Sequence, residues 1–214
     1  MGILKEIVYR LRSEYTTEKL IKMGLKVGKN FSRLNGVILD PSHCWLLEIG
    51  DNVTIAPRVH ILCHDASTKG FLNYTKIGRV TIGNNVFIGA ESVILPNTKI
   101  GNNVIIGANS TVTKDIPDGV VVAGNPARVI CTIEEYLQKQ KAQMETCPVY
   151  DEGYTLRADI TEEKKQEQKE ALKDSWGYVD EWRVKRSRLS FPPITWRLTL
   201  KKRSIVFVRK RTRT

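Results

Sequence analysis

Long apolar runs are missing from this 214-residue chain. No stretch approaches the roughly 20 uninterrupted apolar residues that cross a bilayer as a helix. The first 24 residues, MGILKEIVYRLRSEYTTEKLIKMG, are broken by charge every few positions, which excludes a secretory apolar core there and leads us to expect a cytoplasmic protein. Cysteine is sparse. Cys44, Cys63, Cys131 and Cys147 form no CxxC pair and no metal-finger spacing, and four scattered thiols in a chain of this size lead us to expect a reducing compartment. Histidine is scarcer still, with only His43, His60 and His64. Acid is absent after residue 182, where residues 183–214 carry twelve Lys and Arg. Those twelve account for the net charge of +11, because the 22 basic residues that remain of 34 nearly balance the 23 acids. The main body is therefore no polyanion binder by composition, and no nucleic-acid partner is expected for it.

A repeat is present instead. Ile82, Ile88, Ile94, Ile100, Ile106 and Val112 stand six apart, and Ile49, Ile55 and Ile61 keep the same interval upstream. Gly83, Gly89, Gly101 and Gly107 follow four of them, and IGNNV at 82–86 returns at 100–104 after eighteen residues. A helical stripe every 3.6 residues cannot produce this interval. A coil with three flat sides of six residues does, with one branched aliphatic turned inward per side and a small residue at each corner. Asn84, Asn85, Asn97, Asn102, Asn103 and Asn109 fall where such corners need left-handed backbone. The expected fold is mainly β, a triangular parallel β-helix.

The segments IGDNVTIAPRV, CHD, IGNNVFIGAESVILP and GANSTVTKDIPDGVVVAGNPARVI resemble the hexapeptide-repeat acyltransferases of the maltose and galactoside O-acetyltransferase group. Within that group the resemblance is nearest to bacterial enzymes that acetylate surface polysaccharides. It implies a left-handed parallel β-helix over 31–130, an N-terminal helical cap over 1–30, C-terminal helices within 131–182, and leaves 183–214 as a basic tail. TIEE at 132–135 reads as a capping box opening one of those helices, and 161–174 reads as a second. The tail has no assignable periodicity; its charge suits weak contact with an anionic surface such as a membrane or lipid phosphate, or with nucleic acid, and an extension with no role of its own is the third reading.

One interval breaks the beat. IGDNV at 49 and IGNNV at 82 are 33 residues apart, one coil of eighteen plus fifteen extra, and the excess falls between Ile61 and Val80. Solenoids extrude functional loops this way. His64 stands at the root of that loop, 64–79, and an imidazole suits removal of an alcohol proton near neutral pH. The resemblance makes His64 the general base in direct acetyl transfer from acetyl-CoA to a saccharide hydroxyl. It implies a homotrimer with sites between subunits. Cys63 points to the opposite face of an extended chain and is expected to be buried and inert.

By the same resemblance Asn35, Asp40, His43 and Trp45 are candidate acceptor contacts, with Asp65 beside them either on the acceptor or capping the loop. Ala90, Ala108, Thr113, Lys114 and Arg128 are candidate acetyl-CoA contacts; Cys131 stands where galactoside acetyltransferases carry a further arginine. No metal is expected, since His60 and His64 lack the spacing of the zinc-binding branch of this fold. Two other readings remain open in sequence: acetylation of an antibiotic, and a non-catalytic trimeric scaffold.

Overall fold

A computed structural model describes residues 15–180, so the expectations for 1–14 and 181–214, including the first part of the N-terminal cap and the basic tail, lie outside the described residues. The six-residue beat becomes a three-sided coil. The first face stacks Lys26–Val27, Leu47–Ile49, Val80–Ile82 and Thr98–Ile100; the third stacks Ile38–Leu39, His60–Ile61, Val93–Ile94 and Thr111–Val112. The second face stacks Ser32–Arg33, Val53–Ile55, Val86–Ile88, Val104–Ile106 and Val120–Ala123. All these pairings are parallel, and equivalent aliphatics lie in register, Ile82 beside Ile100, Ile88 beside Ile106 and Ile94 beside Val112. Their side chains fill the coil and are almost wholly buried. Branching at Cβ suits both the extended backbone and the narrow triangular core.

Asparagine holds the corners in two ways. Asn30, Asn52, Asn85 and Asn103 adopt left-handed φ near 55–57°, and each of the first three donates from its side-chain amide to the next Oδ1 at 2.9–3.0 Å. Asn84 and Asn102 instead cap backbone, accepting from Asp51 N and Asn84 N. The coils approach closely where the side chain is missing. A Cβ on Gly89 would lie 2.4 Å from the Ala108 nitrogen. We expect Gly89→Ala to cost about 1–3 kcal/mol by overpacking a rigid corner, read as a lower midpoint in chemical denaturation. An unchanged midpoint would mean the coils separate more easily than the stacking implies.

Both ends are covered. Helix Thr17–Lys22, capped by Thr16, drives Leu20 into the bottom of the coil, where it is fully buried. At the top, Arg128–Thr132 folds back antiparallel on Val120–Ala123 and leads into helix Ile133–Met144. Thr132 and Glu135 form the capping box read from TIEE. A second helix, Glu162–Ala171, starts at Thr161 and ends three residues short of the expected 174.

Strand register also reveals a feature the repeat does not announce. Successive coils are offset by 22 residues at the bottom, as Leu39 beside Ile61, by 33 next, as Ile61 beside Ile94, by 18 after that, as Ile94 beside Val112, and by 16 at the top, as Ile106 beside Val122. The bottom coil therefore carries an insertion of its own, between Leu39 and Leu47, containing the short turn Cys44–Leu46. Both insertions leave the stack from the same corner, at the end of the third face.

Candidate functional site

The two insertions meet at that corner. His64 and Asp65 begin the larger one and pair antiparallel with Lys76–Ile77, so the base of the loop is a clamped hairpin. Asp65 is occupied by that clamp: its carboxylate holds Lys76 Nζ at 2.7 Å and accepts from Ser67 N at 2.9 Å. The hydrogen bond from Lys76, with that from the Ser67 backbone, brings the Asp65 carboxyl below the ordinary carboxylate range. Of the two roles read from sequence for Asp65, this geometry is that of loop capping.

Asp40 lies one coil beneath, and its position differs from the acceptor contact expected of it. It is 1% exposed. Oδ1 accepts from Ser42 N at 3.0 Å and His43 N at 3.3 Å, while Oδ2 accepts from Cys63 N at 2.8 Å and faces His64 Nδ1 at 2.5 Å. Burial alone would raise the carboxyl, but the His64 hydrogen bond and the Cys63 and Ser42 amides outweigh it and hold Asp40 below its ordinary value. A carboxylate only accepts, so Nδ1 carries the proton and Nε2 keeps a lone pair. A carboxylate with no exposed side-chain surface cannot reach a sugar. It orients the ring.

His43 and Trp45 come from the smaller insertion. The His43 ring centroid is 5.3 Å from that of His64 and 5.3 Å from that of Trp45, and the indole is 53% exposed beside them. Asn35 is not part of this group: it sits at the other end of the third face, in the corner column where Arg58 N donates to its carbonyl. Cys63 is fully buried, and burial together with the charge of Asp40 pushes its thiol up to about 12, which removes it as a nucleophile.

The candidate donor residues occupy two corners. Ala90 and Ala108 stand one above the other, linked by Asn109 N donating to Ala90 O at 2.8 Å, and Arg128, paired with Ala123, tops the same column. Thr113 and Lys114 are exposed at the end of the third face, two coils above His64. Sequence reasoning missed the partnership of Asp40 with His64. The only available signal was the extra four residues after Leu39, which no neighbouring repeat calibrates.

Among known proteins, the family model described as Bacterial transferase hexapeptide (six repeats) matches residues 79–114. The chain is 40% identical over 168 residues to Protein CapG of Staphylococcus aureus, spanning 75% of this chain and 92% of that protein. It is 44% identical over 118 residues to the galactoside O-acetyltransferase of Escherichia coli (strain K12), spanning 52% of this chain and 55% of that one. Among solved structures, a maltose O-acetyltransferase from Clostridium difficile 630 shares 42% identity over 51% of this chain and 59% of its own, with a TM-score of 0.46.

Proposed function

The chain belongs to the hexapeptide-repeat acyltransferases, and we propose that it transfers acetyl from acetyl-CoA to a saccharide hydroxyl with His64 as general base. The observation that carries this reading is the Asp40–His64 pair, in which a buried carboxylate fixes the tautomer that leaves Nε2 able to accept a proton. The acceptor hydroxyl gives its proton to Nε2 as its oxygen attacks the thioester carbon. The tetrahedral adduct then collapses by breaking the C–S bond, and the departing sulfur takes the proton back from His64. No acyl-enzyme forms, in keeping with the buried, high-pKa Cys63.

Trp45 offers an indole face of the kind that packs on a sugar ring, with His43 behind it. Ala90, Ala108 and Arg128 line the donor arm along their corner, small residues leaving room for it and the guanidinium meeting phosphate, with Thr113 and Lys114 near the nucleotide. Transfer resides in 31–130, with Arg128–Thr132 and the helix Ile133–Met144 covering the top, and 183–214 takes no part in it. The active unit is a homotrimer. Its support is the large insertion, where Phe71 is 88% and Tyr74 78% exposed, apolar surface suited to a neighbouring subunit.

An acceptor screen tests the reading. Incubation with acetyl-CoA and panels of saccharides and drug alcohols is expected to give thiol release matched by acetylated saccharide, from a species that sediments at three times the chain mass. Release with drug alcohols alone would replace the saccharide with a xenobiotic, and release with neither would leave a scaffold.

A further inference from the structure

We propose that Asp40, His43 and His64 also bind one divalent transition-metal ion, and that its occupancy reversibly switches the base off. The proposal concerns regulation of the site described above and rests on His64 being its base. One ligating atom from each of the three side chains lies within 4.8 Å of the others. The second observation is His43 Nδ1, which is buried and has no hydrogen-bond partner among the described residues. Buried ring nitrogens without a partner are uncommon, because the lost hydration is not replaced. The transfer step leaves this nitrogen unused.

The donor set selects the ion. Two imidazoles and a carboxylate suit zinc and its neighbours, whereas magnesium and calcium favour oxygen ligands throughout. Bond lengths of about 2.0–2.2 Å place tetrahedral ligands roughly 3.3 Å apart. The ligating atoms, spread over no more than 4.8 Å, must close slightly on the ion while His64 Nδ1 and Asp40 Oδ2, now 2.5 Å apart, open by less than about 1 Å. Rotation of the half-exposed His64 ring accomplishes this. A coordinated Nδ1 cannot keep its proton, so the proton moves through water to Nε2. The nitrogen that served as base becomes a donor, and transfer stops without any change in fold.

The test uses full-length protein and Zn2+ as the probe. Calorimetry is expected to show a Zn2+ site that weakens at least tenfold in His43→Gln, with far-ultraviolet circular dichroism confirming that the variant is folded. Trp45, whose ring lies against His43, supplies an independent reading as a fluorescence change missing in His43→Gln. Transfer, followed as acetylated acceptor because Zn2+ also binds the released thiol, should fall in proportion to occupancy and return with EDTA. Equal Zn2+ affinity in both proteins would overturn the proposal, as would a saturated site with undiminished transfer, or stimulation by Zn2+. A protein that binds Zn2+ with the His43 dependence but transfers nothing in EDTA would sink the acetyltransferase reading while leaving the metal site standing.

Discussion

Replacing His64 with alanine is expected to leave a folded protein whose acetyl transfer is slower by about 10²-fold or more, the usual consequence of removing a positioned general base. The fold should survive because His64 contributes nothing to the stack of branched aliphatics, and its hairpin partner contact is made by backbone. Asp40 would lose one of its hydrogen-bond donors and keep three backbone amides. The measurement is the rate constant for saccharide acetylation at saturating acetyl-CoA, with circular dichroism and sedimentation as controls. Near-wild-type turnover in the alanine variant would eliminate His64 as the base and revive the scaffold reading.

Asp40→Asn should lose both activity and stability, and the reason lies in which atoms surround the carboxylate. An amide has one oxygen where the carboxylate has two, and N–H groups approach from both sides. Placing the amide nitrogen at Oδ2 sets it against Cys63 N–H and offers His64 Nδ1 a donor, which moves the ring proton to Nε2 and removes the base. Placing it at Oδ1 preserves the tautomer but opposes the Ser42 and His43 amides. Either way a buried donor is left unsatisfied, a loss of about 1–3 kcal/mol. Transfer should fall by about 10²-fold with little change in KM for acetyl-CoA, since Asp40 acts through the ring and not on the donor.

The same variant carries a pH signature. The folded-state pKa of Asp40 is depressed, so its stabilising contribution is complete above the ordinary carboxylate range and is lost as pH falls through the folded value. Denaturation midpoints should therefore converge between wild type and Asp40→Asn on acidification below about pH 4. A variant with wild-type turnover, or with a stability deficit that persists undiminished in acid, would contradict the role assigned to Asp40.

Much of this architecture is written in the order of residues alone. Branched aliphatics at every sixth position, with small residues behind them, specify a three-sided coil because each side is a local choice repeated with constant spacing. The break of 33 residues between Ile49 and Ile82 is measurable for the same reason: regular coils follow it and supply the ruler. His64 is legible as the residue at that break. Asp40 is not, because its meaning depends on a contact made across 24 residues, through a bottom coil whose length of 22 has no regular coil before it. Only the stacked coils bring the Asp40 corner under His64, exclude water from the carboxylate and turn three backbone amides onto it. Local sequence determined the coil and the break, while the electrostatic partner of His64 was decided by register between coils, where burial converts an ordinary aspartate into a fixed acceptor for one imidazole proton.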